Sequence, residues 1–213
     1  MMVVLLGPPG AGKGTHAAAI RDAFTIPHIS TGEMLRGAIE EGSPVGLKAK
    51  TIVEDGQLVP DEVMAEMVEE RLSAADAVKG FVLDGYPRNV PQARALDGIL
   101  SGRSARLDRV LSLVVEDAEI VRRLSGRRTC PGCGHIYHVS GAAPRTEGRC
   151  DACGTALVRR ADDQPEVIAR RISVYAAQTE PLVAFYRDRG LLEEVDAMGP
   201  VPVVRERILE VLQ

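Results

Sequence analysis

Four groups of residues in this 213-residue chain have the types and spacing to do chemistry. The first is Gly7-Pro8-Pro9-Gly10-Ala11-Gly12-Lys13-Gly14-Thr15, which follows the apolar run Met2 to Leu6. An apolar, β-branched run reads as a strand buried on both faces. The glycines then let the backbone curl around an anion at the start of a helix placed at His16 to Ala23, with N–H groups converging on it. In such a loop Lys13 reaches the β- and γ-phosphates and a hydroxyl meets magnesium. The general pattern puts Ser or Thr directly after the lysine, whereas here Gly14 stands there and Thr15 follows. Read without its flanks, the run is a glycine-rich turn; strand before, helix after and lysine within favour the phosphate loop.

The second group is a set of cysteines, Cys130-Pro131-Gly132-Cys133 and Cys150-Asp151-Ala152-Cys153, separated by 16 residues. This is the spacing of a two-knuckle zinc ribbon. Four thiolates close a tetrahedron, so the metal is expected to be structural, with iron as the other occupant. His135 and His138 are nearby but are left without a ligand role. The third is Asp84, closing the apolar run Gly80 to Leu83. A carboxylate at the C-terminal end of a parallel strand suits the water shell of Mg²⁺, and would otherwise be a turn or capping residue. Gly85-Tyr86-Pro87-Arg88 turns Arg88 into the same mouth, and Gln92 lies one turn further on.

The fourth group is the arginines, 22 of the 26 basic residues. Base composition of the genome could explain many of them; guanidinium forks gripping phosphate could explain those at particular positions. Ser30 and Glu33 are spaced as a capping box, which puts Thr31 and Arg36 near a helix N-terminus suited to a phosphate. A plain cap with a surface arginine is the other reading. Arg123 and Arg127 share an i,i+4 face and could address one ligand. His28, with no visible partner, reads as strand filling.

The remaining elements position these groups. Strands are expected at 26–29, 80–84, 109–115 and 191–195, alternating with helices at 47–55, 61–74, 116–126 and 202–212. Residues 42–46 read as a break, and Asp61 as a helix cap. A long helix begins with Pro165 at its first position and is interrupted by Pro181. The fold class is therefore α/β: a P-loop five-stranded parallel sheet flanked by helices. A core of 1–29, 61–126 and 162–213 carries a helical excursion at 30–60 and the ribbon at 127–161. A hydrolase needs a residue to place water, and none stands out. Transfer to an anionic acceptor needs only positioning, charge neutralisation and closure.

Net charge is −4, and the ribbon segment has a charge near zero, which argues against nucleic acid as a partner and against a zinc-ribbon DNA binder regulated by ATP. The first apolar run is short for a signal peptide, no stretch is long enough to span a bilayer, and clustered cysteines favour metal over disulfides. A cytoplasmic monomer is expected, since no coiled coil or long apolar stripe asks for a partner.

The runs GPPGAGKGT, ISTGEMLR, GFVLDGYPRN with Gln92, GRR before the cysteines and RRADDQPEVIARR after them together resemble the adenylate kinase family, in the long bacterial form with a zinc-binding LID. The resemblance implies ATP + AMP ⇌ 2 ADP with Mg²⁺. It implies an ATP site of Gly10, Ala11, Gly12, Lys13, Gly14 and Thr15, with Arg123, Arg127, Ile136, Tyr137 and Gly199. It implies an AMP site of Thr31, Arg36, Gln57, Leu58, Val59, Gly85, Tyr86, Pro87, Arg88, Gln92, Arg160 and Arg171, and a clamp of Arg127, Arg160 and Arg171 on the transferred group. Asp84 would organise magnesium, and Asp162 and Asp163 would tether the LID arginines on closure. Glu33 stands where the family usually has Asp. Gly199 offers backbone alone. UMP or CMP as acceptor stays open, because base-reading contacts come partly from backbone.

Overall fold

The computed structural model describes residues 1–213. Its centre is β1 (Met2–Leu6), a five-residue apolar strand whose alternate side chains enter two different cores. Val4 and Leu6 face one core, Val3 and Leu5 the other. A strand with apolar residues on both faces must be covered on both, which is the parallel α/β arrangement. To one side of β1 lie β3 (Phe81–Asp84) and then β2 (His28–Ser30); to the other lie β4 (Arg109–Val114) and then β7 (Leu192–Asp196), all parallel. The order β2-β3-β1-β4-β7 reverses its direction of growth at β1. A crevice therefore opens beyond the C-terminal end of that strand, where Gly7 begins the glycine loop.

Helices α1 (Lys13–Phe24) and α9 (Val201–Leu212) cover one face; α4 (Asp61–Leu72), α5 (Val90–Ser101) and α8 (Pro181–Arg187) cover the other. Two excursions leave this frame. Helices α2 (Thr31–Glu40) and α3 (Pro44–Glu54) form a hairpin after β2, while α6 (Asp117–Gly126) leads into a small antiparallel ribbon of β5 (Arg127–Thr129) and β6 (Ile136–His138). The chain returns through a 3₁₀ turn at Ala161–Asp163 and α7 (Pro165–Val174).

The expected elements are present with altered ends. Helix α1 starts at Lys13, not His16, so the lysine itself lies in the first turn. Helix α3 starts at Pro44, inside the stretch read as a break. Ser43 accepts from the Gly46 N–H at 3.1 Å, and proline at the first helical position needs no donor. Asp61 is the first residue of α4, not its cap, and accepts bonds from another helix instead. The break in the long helix begins before Pro181, as a π-helical stretch at Tyr175–Thr179 closed by Glu180 N–H to Tyr175 O at 2.9 Å. Pro181 lacks the N–H that an α-helix would use there, so the wider turn takes up the mismatch. His28 does have a neighbour: its Nε2 lies 3.8 Å from Asp84 Oδ2 across two paired strands.

The α2–α3 hairpin depends on one close approach. A Cβ on Gly46 would collide with the Ala38 carbonyl, whereas a Cβ on Gly37 would meet nothing within 4 Å. Gly46→Ala is accordingly expected to cost about 1–3 kcal/mol through backbone displacement. Gly37→Ala should be neutral or stabilising by up to about 1 kcal/mol. Urea unfolding of the two variants measures both; equal midpoints would remove Gly46 as the constraint.

Candidate functional site

Around the glycine loop the backbone does what side chains elsewhere do. Gly7, Gly10 and Gly12 have φ of 141°, 83° and 93°. A Cβ on Gly7 would come within 2.9 Å of the Leu113 carbonyl. Gly12 is the left-handed residue preceding α1, and no side chain caps that helix or places an acid in its first turn. The exposed N–H groups and the positive end of the helix dipole are left facing the crevice, an anion-binding arrangement. Lys13 folds back across the loop, donating to Gly7 O at 2.7 Å and Pro8 O at 3.0 Å. Burial pulls its ammonium down to about 8; Asp84 opposes the shift, and Arg88, Arg171 and Arg127 add to it.

Asp84 closes β3 beside this loop, with Oδ2 3.5 Å from where a Cβ on Gly14 would stand. Burial alone would raise its carboxyl, but His28, Lys13 and Arg88 outweigh burial and hold it below the usual range. An ionised, nearly buried carboxylate against a side-chain-free position suits a hydrated divalent cation.

Beyond β3, Gly85 (φ 84°) lets Thr31 and Arg88 approach; a Cβ there would press on Thr31 Oγ1 at 2.7 Å. Thr31 donates to Asp84 O at 3.3 Å, and Arg88 Nε donates to Gly85 O at 2.8 Å. Tyr86 is fully buried and Pro87 follows through a cis bond. The Arg88 backbone is gripped from both sides, its N–H by Gln92 Oε1 and its carbonyl by Thr179 Oγ1, each at 2.8 Å. Gln92 and Asn89 in turn donate to Asp61 at 2.7 and 2.9 Å. A fixed backbone on both sides of one arginine leaves its terminal nitrogens for a ligand.

Gly7, Lys13, Gly85, Pro87, Arg88 and Gln92 line an open cleft that also includes Arg36, Gln57, Leu58, Val59, Asp162 and Arg171. Two further arginines, from the ribbon, stand close enough to act on its charges: Arg127 on Lys13 and Arg36, and Arg160 on Arg36. Arg127 makes a two-pronged pair with the fully buried Asp163, at 2.7 and 2.6 Å, and Arg160 donates to Thr129 Oγ1 at 2.9 Å. Arg171 spans Asp162 and Asp163 at 3.0 and 3.2 Å. Burial lowers the guanidinium pKa at Arg36, Arg88, Arg160 and Arg171, with neighbouring arginines contributing; Arg160 falls to about 10. All remain charged at neutral pH, so Lys13 and five arginines face three carboxylates, Asp84, Asp162 and Asp163. That excess is the field of a polyanion site.

On the other side of the glycine loop, Arg123 donates to Ala197 O at 2.9 Å and Ala11 O at 3.4 Å. Ile136 is exposed on the ribbon; the Tyr137 ring is buried, its hydroxyl accepting from the Asp151 N–H at 2.8 Å. The Tyr137 side chain is therefore closed to a ligand. Gly199 has φ 109° and nothing near its missing Cβ, a place for a ligand to approach backbone. Thr15 is exposed in the first turn of α1.

The four cysteine sulfurs all lie within 4.8 Å of one another, and none is in a disulfide. Both knuckles use the same bonds. Gly134 N–H donates to Cys130 O and Gly154 N–H to Cys150 O, while Cys130 N–H reaches His135 O and Cys150 N–H reaches Thr155 O, at 2.8–2.9 Å. Gly134 and Gly154 both take left-handed φ, 74° and 73°. Sulfurs on a tetrahedral zinc stand about 3.8 Å apart for Zn–S bonds of ~2.3 Å. The Cys130–Cys153 and Cys133–Cys150 sulfurs, 3.3 and 3.5 Å apart, stand near that spacing, and a metal at their centre would set it.

Sequence reasoning passed over several contributors. Glu119 holds Arg123 at 2.7 Å, a pairing its i,i+4 spacing could have signalled. Thr179 and Tyr175 reach the cleft from the π-helical stretch, and no local pattern marks them.

A family model described as adenylate kinase matches residues 5–191. Three curated proteins named adenylate kinase align along the whole chain. That of Citrifermentans bemidjiense is 52% identical over 213 residues, covering all of both proteins. That of Pelobacter propionicus is 54% identical with 97% of it covered, and that of Salinispora tropica 51% identical with 98% covered. Identity at this level along the whole length, with the glycine loop, the arginine-lined cleft and the four-cysteine ribbon in one fold, places the chain in the adenylate kinase family.

Proposed function

We propose that this cleft takes two nucleotides end to end, ATP against the glycine loop and AMP against the α2–α3 hairpin, for the reaction ATP + AMP ⇌ 2 ADP. The observation that carries the reading is the convergence of Lys13, Arg36, Arg88, Arg127, Arg160 and Arg171 on one crevice at the end of β1. The core (1–29, 61–126, 162–213) supplies the rigid floor. Residues 30–60 hold the monophosphate, and residues 127–161 close as a LID. The protein works as a cytoplasmic monomer on small nucleotides, without a nucleic-acid or membrane partner. No helix is long and apolar enough to cross a membrane.

The residues divide the work by position. Gly10 to Thr15 hold the ATP phosphates, while Arg123, Ile136, the Tyr137 backbone and Gly199 flank the base. Thr31, Arg36, the 57–59 segment, Gly85 to Arg88 and Gln92 hold AMP. An AMP phosphate oxygen is already a nucleophile, so no general base is needed. What remains is to bring one tetra-anionic and one dianionic nucleotide into line and neutralise them. Lys13, Arg88, Arg127, Arg160 and Arg171 do this around the group in transit. Asp84 is the residue that would hold magnesium, through water, which supplies charge neutralisation on the β- and γ-phosphates. Cys130, Cys133, Cys150 and Cys153 would hold zinc, and its contribution is the fold of the LID.

Lys13→Ala is expected to lower kcat by about 10²- to 10⁴-fold; turnover near the parent's would remove the phosphate-loop assignment. Offering AMP, UMP, CMP and GMP in a coupled assay should give AMP the highest kcat/KM. Arg88→Ala should raise the KM for AMP more than that for ATP.

Because burial brings Lys13 to about 8, its ammonium loses its proton as pH rises through that value. The cationic form is the useful one, so kcat/KM for ATP should fall between pH 7 and pH 9, a free-enzyme profile. A flat profile would show that Lys13 keeps its charge.

Chelating the ribbon metal should lower the melting temperature by several degrees while leaving the initial rate at low temperature within about twofold, since structural zinc contributes folding free energy. Parallel loss of rate and stability would put the ribbon into the chemistry.

A further inference from the structure

Glu119 lies in α6, outside the cleft, yet its carboxylate forks onto two consecutive arginines. Oε1 accepts from Arg123 Nε at 2.7 Å, and Oε2 accepts from Arg122 Nε at 2.6 Å. The two partners differ in surroundings: the Arg122 side chain is 57% exposed, that of Arg123 20% and that of Glu119 16%. The outer pair is a solvated surface contact of little consequence. The inner one is largely shielded and acts on a side chain with two other tasks.

Those tasks are set by the remaining nitrogens of Arg123. One donates to Ala11 O in the glycine loop, the other to Ala197 O just past β7. Nε on Glu119 and the two terminal nitrogens on carbonyls define a plane, so the guanidinium is fixed in rotation as well as in place. A guanidinium held by its edge keeps its flat face for stacking on a ring. Without Glu119 the plane could swing about the last side-chain torsions, and the two carbonyls, one at 3.4 Å, would hold it poorly.

We propose that Glu119 is a positioning residue for the ATP side of the site, orienting the Arg123 guanidinium that straps the glycine loop to the end of β7 and faces the donor base. The inference rests on the ATP-side placement of Arg123 given above. Glu119 touches no substrate and acts through Arg123 alone.

Steady-state kinetics of Glu119→Ala, Glu119→Gln, Arg122→Ala, Arg123→Ala and the double variant Glu119→Ala/Arg123→Ala test it. Glu119→Ala should raise the KM for ATP about 5- to 20-fold, less than the full worth of a charge-assisted hydrogen bond because Arg123 remains in place. The KM for AMP should stay within twofold. Glu119→Gln retains an acceptor for Nε and should recover the KM for ATP to within about threefold of the parent. Arg122→Ala, which removes only the exposed partner, should leave both KM values within twofold. In the Arg123→Ala background Glu119→Ala should add no further change, the signature of action through that residue. Equal rises in both KM values, or a full effect of Glu119→Ala on top of Arg123→Ala, would overturn the proposal. So would an unchanged KM for ATP in Glu119→Ala while Arg123→Ala raises it, and in that case the ATP-side role of Arg123 stands. If Arg123→Ala itself leaves the KM for ATP unchanged, the ATP-side reading fails and takes this proposal with it.

Discussion

Like charges held close in a half-buried cleft are the constraint on which this structure turns. Lys13 and five arginines converge where parallel strands end, and bringing six cations together out of water is unfavourable without anions among them. The fold answers with Asp84, Asp162 and Asp163, and with hydrogen-bond tethers on four of the five arginines. Each tether comes from a different part of the chain: Gly85 and Thr179 for Arg88, Thr129 for Arg160, the 3₁₀ turn for Arg127 and Arg171. Three carboxylates offset part of the charge, and a polyphosphate is the natural complement to what remains.

The sheet makes that convergence possible. Because β1 alternates between two cores, it must sit in the middle, and because it sits in the middle the strand order reverses there. The glycine loop then rises between the β3 side, with Asp84 and Arg88, and the β4 side, with Arg123 and the ribbon. The proposed donor and acceptor sites thus fall on opposite sides of one lysine.

Much of this was legible in the residues. Short-range patterns announce themselves: glycines before a lysine, CxxC pairs at ribbon spacing, Ser30 accepting from the Glu33 N–H at 3.4 Å as the capping pattern implied. Those features are decided within a few residues, so the sequence states them directly. What stayed hidden was settled by tertiary contact. Asp61 looks like a cap and is instead an anchor for Asn89 and Gln92 on a neighbouring helix. His28 acquires a neighbour only because β2 pairs with β3 in a register that brings it near Asp84. Pro181 marks an interruption, but not that the helix yields by widening over Tyr175–Thr179.

The Asp163 carboxylate lies fully buried between Arg127 and Arg171, in the two-oxygen geometry that a phosphate would otherwise present. In the proposed reaction those guanidiniums already have an internal understudy for their ligand. Letting go of a nucleotide does not strand them, because a resident anion stands ready to take its part. Grip on the departing molecule is weaker by that much, and a catalyst that must empty itself at every cycle gains from holding on less firmly.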